Sequence, residues 1–400
     1  MKQPTLQFRV AESWPDRRAP AEVQAQAVQS LVANHTLIVG QSRSGKTNAA
    51  RRLVEEILNW TTTRVVILDP NADFKLLGHV RRGAEPQFIK RWTQVSDQVG
   101  IASPDGAAWG ILWNKLSLGE MAAYLRLTPK ESFAEYRHLD RHYKYEKTIP
   151  KKAGKKRLGT LQEFLDSGYF QLAVGEELER YRLLLQDLAA LRVWATSTTT
   201  KDLDTFLADP HRAVVVDLST DDEEVRTITA ARTLQALWEE GQDKRKEFLK
   251  NGGSWPGTLV VIDEAHLFAP PSTSDPRRRA VCERIERFAD QGKKLNLFLM
   301  VITQQPGKLH RGVLSECNNR IILRVNETLS LRALEEAYGG SRGRYNGALT
   351  FKPGEALVEG ALLCDELPPP TTPRGTRFML ANTKEGGGTP KADWALPATI

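Results

Sequence analysis

Gly40-Gln41-Ser42-Arg43-Ser44-Gly45-Lys46-Thr47 fits the pattern G-x-x-x-x-G-K-[ST] at each fixed position. The residue types match a task. Glycines let the backbone curl so that successive N–H groups point inward at phosphate oxygens. Gly45 permits close approach where a helix would start, and a helix N-terminus favours an anion. Lys46 can reach the β- and γ-phosphates of a nucleotide, and the Thr47 hydroxyl can ligate Mg2+. With Asn48 just behind it, this loop is the expected nucleotide-binding set.

A second group lies more than 200 residues further on. In Leu259-Val260-Val261-Ile262-Asp263-Glu264, four apolar residues set Asp263 at the C-terminal end of a buried strand. Open parallel sheets bind ligands at that edge. Asp263 is expected to hold Mg2+, directly or through water, and Glu264 to polarise an attacking water. An Asp-Glu pair is common and taken alone is a weak signal, its alternative being a surface pair that caps the next helix. His266 fits a structural or inter-strand role better than direct chemistry. A third strand, Leu297 to Ile302, ends in Thr303-Gln304. The Gln304 amide could sense the γ-phosphate or orient water, or it could simply close the strand before Pro306. Together these parts imply ATP hydrolysis with Mg2+, driving a conformational cycle. A small-molecule kinase would use the same loop, but its nucleophile would be the substrate and the Asp263-Glu264 pair would be unnecessary.

Such groups need rigid elements behind them. A short apolar strand is expected from His35 to Val39, then a helix from about Gly45 to Leu58. Ala49, Leu53 and Ile57, with Ala50, Val54 and Leu58, recur on one face of that helix. Further strands are expected at Arg64 to Leu68, Ala213 to Leu218, Thr258 to Ile262, Leu297 to Ile302 and Arg320 to Val325. Their apolar runs are continuous, which suits a parallel sheet covered on both faces. Helical patterns at Glu223 to Glu239 and Arg278 to Gln291 alternate with them, so the class is an α/β layered fold. Residues 91–207 differ. They carry helical patterns (Leu161 to Phe170, Glu177 to Leu191) and few strand signals, and are expected to be a mainly helical insertion. The core would then comprise residues 35–90 and 208–366. Residues 1–34 would form a lead-in of strand then helix, and the Pro- and Gly-rich residues 367–400 an extended arm.

Composition narrows the class. Apolar residues make up 40% and charged ones 26% of 400 residues, which excludes wholesale disorder. No run of about 18 apolar residues offers a membrane span, and the first ten residues lack an apolar signal core. Cys282, Cys317 and Cys364 share no metal-ligand spacing. A cytoplasmic protein without a membrane partner is expected. The net charge of +7 equals the net charge of the segment from Arg141 to Arg157 alone, so the basicity is local. That run is either a solvated loop or a contact for a phosphate backbone. Arg81-Arg82 and Lys90-Arg91 are further candidates, and no helix-turn-helix or zinc motif points to sequence-specific readout.

The linked order of motifs resembles the HerA/FtsK branch of RecA-like motor ATPases, and HerA most closely. The residues that carry the resemblance are Gly40 to Thr47, the turn Asp69-Pro70-Asn71-Ala72-Asp73, the strand Ala213 to Ser219, and Val261 to His266. They continue through Phe288 to Lys294, Thr303-Gln304-Gln305-Pro306, Leu314 to Arg324, Gly354-Glu355-Ala356, and Glu385 to Gly388 with Trp394. The resemblance implies a RecA-like P-loop core, a homohexameric ring with ATP between subunits, and double-stranded DNA threading the pore. The C-terminal segment would brace a neighbouring subunit. An effector such as a nuclease would come from another chain, since no nuclease motif is seen here. Two departures matter. The family usually carries arginine after the sensor glutamine, where this chain has Gln305, so the charge supplied in trans would come from Arg320 or Arg324. About 34 residues before the loop also leave too little room for the family's N-terminal barrel. The Gln305 departure favours a second reading, an ATP-gated ring that assembles and activates a partner enzyme without moving DNA.

Overall fold

The computed structural model describes residues 6–12, 22–25, 31–77, 79, 95–102, 109–148, 159–171, 175–196, 201–207, 211–339, 343–360 and 376–380. The core is a parallel sheet in which six strands follow the expected apolar runs, β3 (Thr36–Val39), β4 (Arg64–Asp69), β8 (Ala213–Asp217), β9 (Thr258–Ile262), β10 (Leu297–Thr303) and β11 (Asn319–Ile322), and a seventh, β5 (Val99–Ala102), comes from residues expected to belong to the helical insertion. Their spatial order is β11-β3-β10-β9-β4-β8-β5, with parallel pairing throughout. Alternate residues face opposite layers. Leu37, Val66, Val214, Val260 and Val301 enter one apolar cluster, and Ile38, Val65, Val215, Val261 and Ile302 enter the other. Burial on both faces explains why the inner strands read as unbroken apolar runs, whereas the edge strand β5, with Ile101 exposed, does not.

One face is covered by α1 (Lys46–Trp60), whose Ala50, Leu53, Val54, Ile57 and Leu58 are buried against the sheet. Each of the larger side chains contributes about 1.5–3 kcal/mol on burial. The other face carries α7 (Glu223–Asn251) and α8 (Pro276–Gln291), capped by Asp222 and Asp275. The helix expected to end at Glu239 runs on to Asn251. Gly241 looks like a stop but serves close packing: a Cβ there would lie 3.2 Å from Leu295 and Leu297.

Between β5 and β8 the chain forms β6 (Trp109–Gly110), α2 (Leu118–Tyr124), α3 (Phe133–Thr148), α4 (Leu161–Leu165), α5 (Glu176–Ala189), β7 (Lys201–Asp202) and α6 (Leu203–Leu207). Capping boxes at Ser117/Glu120 and Thr160/Glu163 start α2 and α4. The helix expected over Leu161 to Phe170 breaks at Asp166, and a 3-10 turn follows at Gly168–Gln171. These helices dock on α7 through Arg232, 2% exposed, which pairs with Glu120, Asp204 and Glu239.

The far side of the sheet differs from expectation. Beyond β11 come β12 (Glu355–Glu359), β13 (Thr376–Leu380), β1 (Leu6–Glu12) and β2 (Glu22–Ala25), all antiparallel. The lead-in thus contributes two strands where one was expected; the helix expected after it falls largely on residues 26–30, outside the described residues, and Leu31 just beyond them is helical. Part of the expected arm is a sheet strand, and the rest lies outside the described residues. Strand β11 stops at Ile322, short of Val325. Short helices α9 (Arg311–Ser315) and α10 (Thr328–Tyr338) flank it. Among the described residues no helix is long and apolar enough to cross a membrane.

Candidate functional site

β10 lies between β3 and β9, with Thr303 beside Val39 and Val301 beside Ile262. The tips of these three strands therefore bring the loop Gly40–Thr47, the pair Asp263-Glu264 and Thr303-Gln304 to one edge. The loop is held at several backbone points. Gln41 N–H donates to the Arg324 carbonyl at 2.8 Å, Gly354 N–H to the Ser44 carbonyl at 3.1 Å, and Ala49 N–H to the Gly45 carbonyl at 2.8 Å. Gly45 has φ 105°, the left-handed region that suits glycine, and a Cβ on Gly40 would meet the Ser44 Oγ at 2.4 Å. Ser42 and Arg43 form the exposed crest, and Thr47 and Asn48 are half-buried in the first turn of α1.

Lys46 is buried and donates from Nζ to the loop carbonyl of Gln41 at 3.0 Å. The Ser44 Oγ and Gln41 Oε1 are buried without hydrogen-bond partners among the described residues. The buried Lys46 ammonium and the unpartnered Ser44 hydroxyl, both able to donate, fit an anion with many acceptor oxygens.

Asp263 is 1% exposed. Burial, with Glu264, Asp69 and Asp73 nearby, pushes its carboxyl up to about 7. The side-chain amide of Asn71 approaches one carboxylate oxygen at 3.5 Å. A buried carboxylate under this repulsion fits a hard cation. Among the described residues no three His, Cys, Asp or Glu side chains converge as a metal cage. Mg2+ suits such a site, because it keeps waters and substrate phosphates as most of its ligands.

Glu264 sits in left-handed backbone, φ 45°, which is uncommon for a residue with a side chain. The bend turns its carboxylate toward β10, where Oε1 accepts from the Gln304 side-chain amide. His266 Nδ1 lies 3.4 Å from the other oxygen and 3.2 Å from the Thr303 Oγ1. Burial holds the His266 imidazole below its ordinary pKa. Thr303 Oγ1 also accepts from the Gln305 N–H at 3.1 Å. His266 thus joins two strand tips.

Arg51, Asn71, Asp73 and Thr303 were not anticipated as site residues. Arg51 is buried one turn after Thr47, over the Phe74 ring and facing Asp73, Glu55, Asp69 and Asp263. Burial lowers its pKa and these carboxylates oppose the shift. The i,i+4 spacing from Thr47 was the available signal. Asp69 accepts the N–H groups of Asn71, Asp73 and Phe74, which folds the turn over Asp263.

The two arginines differ. Arg320 donates from Nε to Glu359 at 2.8 Å and lies over the Tyr338 ring at 4.3 Å. Glu359 also accepts from Arg344 and Tyr345. Arg320 is therefore engaged within its own chain, and the trans role expected of it would require it to leave Glu359. Arg324 follows the strand beside the loop, half-buried, with its Nε unpartnered among the described residues. Arg81, Arg82, Lys90, Arg91, residues 149–158 and residues 381–400 lie outside the described residues.

The family model of the helicase HerA central domain matches residues 21–237. The DNA double-strand break repair helicase HerA of Pyrococcus furiosus is 25% identical over 381 residues, covering 83% of this chain and 64% of that protein. The chain thus spans slightly less than two thirds of that relative. In fold, the chain is similar to VirB4 of Thermoanaerobacter pseudethanolicus, with TM-score 0.61, 16% identity, and 95% and 97% of the two chains covered. The plasmid coupling protein TrwB, solved with ADP and Mg2+, gives TM-score 0.57, 12% identity, and 94% and 95% coverage. These likenesses match the fold, a mostly parallel sheet with helices. With the family model spanning more than half of its residues, this chain belongs to the family of the helicase HerA central domain.

Proposed function

We propose that this chain is an ATP-hydrolysing DNA translocase or helicase-like motor, working as a homohexameric ring with a nuclease or other effector as partner. The observation that carries the hydrolytic part is the meeting of Glu264 and Gln304 at the edge that also holds Lys46. In this reading the loop N–H groups and Lys46 bind the β- and γ-phosphates, Lys46 leaving the Gln41 carbonyl to do so. Thr47 and Asp263 would hold Mg2+, which offsets phosphate charge when bound. Glu264 takes a proton from water as the water oxygen attacks the γ-phosphorus, and the bond to the leaving ADP oxygen breaks. Gln304 positions the Glu264 carboxylate, and Arg324, near the loop, is the better candidate of the two arginines for meeting developing charge.

The DNA part rests on family membership and on the name of the Pyrococcus furiosus relative. Steady-state ATP hydrolysis at low salt, with and without double-stranded DNA and with Glu264→Gln as the blank, tests it. Clear stimulation by DNA is expected. Hydrolysis that ignores DNA would overturn the motor and favour the second reading, a ring that activates a partner enzyme. Gln305 is the observation on that side: it brings no positive charge, and its Oε1 is buried without a partner among the described residues.

A further inference from the structure

Helix α3 sorts its residues by exposure. From 133 to 147, the exposed positions are Phe133, Arg137, Arg141, Lys144 and Lys147. They recur every three or four residues, so they form one stripe on a helix. Four of the five are cations. The acids of the same helix, Glu135, Asp140 and Glu146, are half-buried. Two of the cations are held by rings: Arg137 lies 5.4 Å from the Phe133 centroid and Lys147 lies 4.1 Å from the Tyr143 centroid. Lys144 pairs with Asp140 at 2.6 Å within the helix. The neighbouring helix α5 shows no such sorting, since its exposed residues mix Glu176, Glu177, Glu179 and Asp187 with Arg180 and Arg182.

We infer that the exposed face of α3 docks the phosphodiester backbone of double-stranded DNA; this rests on the reading of the chain as a DNA motor. The stripe is about 21 Å long at 1.5 Å per residue, the length of about six phosphates along one strand. Its one sign of charge, with the acids withdrawn, complements a polyanion that has phosphates at every step. Arginine adds paired donors suited to phosphate oxygens. No base-reading element is needed, so the contact is independent of sequence.

The test is the affinity of the full chain for a mixed-sequence, fluorescein-labelled 40-base-pair duplex, measured across a salt series. Comparison is with Arg137→Gln/Arg141→Gln/Lys144→Gln/Lys147→Gln, and with Arg180→Gln/Arg182→Gln on α5. Each lost phosphate contact lowers the slope of log affinity on log salt by about 0.9. The quadruple variant is expected to lower it by about three to four, and the α5 double variant to leave it unchanged. Thermal melting checks that each variant folds. Should the quadruple variant not fold, Arg137→Gln/Arg141→Gln is expected to lower the slope by about two. If wild type binds the duplex and the α3 variants keep its slope, or the α5 variant matches them, the placement on α3 is wrong while the motor stands. If wild type binds no duplex at any salt, the DNA reading itself fails, and the docking face with it.

Discussion

The carboxylate of Glu264 accepts a hydrogen bond from the side-chain amide of Gln304, across the tips of the neighbouring parallel strands β9 and β10. A carboxylate on a left-handed turn could point several ways, and this bond selects one. Glu264→Gln is expected to keep nucleotide bound and to lower hydrolysis by about 10²–10⁴-fold, the usual weight of a general base. Gln304→Ala should lower hydrolysis by about tenfold with nucleotide affinity changed less than about threefold. Single-turnover hydrolysis with calorimetric nucleotide binding measures both. A Gln304→Ala protein that hydrolyses at the wild-type rate would remove Gln304 as a positioning residue.

Gly40 offers a second, purely steric prediction. A methyl group there would overlap the Ser44 Oγ and come within 2.9 Å of the Leu323 Cβ. Gly40→Ala should therefore push the loop off its backbone contacts with Arg324. The expected result is a loss of nucleotide affinity of at least about tenfold with only a small change in urea midpoint. Equal losses in both would mean that the loop is a folding element first.

Most of the parallel core was legible because its inner strands are buried on both faces; the edge strand β5, with Ile101 exposed, was not. Val214 and Val215 enter opposite clusters, so neither needs a polar neighbour. Strand β12 was not legible for the opposite reason. It begins with Glu355 and ends with Glu359, both buried, and buried carboxylates mask a strand until their partners are known. Those partners are the Lys352 N–H for Glu355, and Arg320, Arg344 and Tyr345 for Glu359. Local motifs placed Lys46, Asp263 and Glu264 at one edge, since each ends or follows an apolar strand. The choice between sensing and strand-ending for Gln304 stayed open, because its partner is 40 residues away in sequence. The clamp on the insertion is hidden in the same way: Arg232 and Glu120 are separated by 112 residues.

The engaged state of Arg320 separates two roles that sequence spacing leaves joined. Arg320→Ala removes one of the partners of buried Glu359 and should lower stability by about 1–3 kcal/mol, seen as a lower urea midpoint. Arg324→Ala should leave the midpoint nearly unchanged and lower hydrolysis. Doped into wild type, Arg324→Ala should depress the mixture's rate more than its own fraction explains. The reverse pattern would restore Arg320 as the arginine acting between subunits.

Arg232 carries the attachment of the helical insertion to α7. Its guanidinium bonds Glu120, Asp204 and Glu239, and Glu120 is 1% exposed. Arg232→Met takes the nearest cation from Glu120, leaving it the Ser117 cap and Arg284 at 3.7 Å, and is expected to cost about 3 kcal/mol, the lower end for breaking a buried pair. Adding Glu120→Gln should recover part of that loss, because the under-compensated buried charge is then gone. Urea unfolding of the two single variants and the double variant measures the coupling. Strict additivity would mean that the pair contributes nothing as a pair.

Two buried histidines set the acid limit of the fold. His35 Nδ1 accepts the Leu299 N–H at 2.9 Å, so the imidazole must be neutral there. Burial, then the charge of Lys293, pushes it from 6.5 down to about 4. His142 stacks between Phe164 and Tyr169, 3.6 and 4.4 Å between ring centres, and burial pushes it down to about 3. The unfolded chain protonates both near 6.5, while the fold does not. Stability present above that pH is therefore lost progressively as pH falls from about 6.5 toward 4, since the unfolded state binds more protons. The urea midpoint should drop between pH 7.5 and pH 5 at constant ionic strength. His142→Phe has nothing to titrate and should show a smaller drop. An equal drop in the variant would place the acid sensitivity elsewhere, with the buried Asp263 excluded because its raised pKa works in the opposite direction.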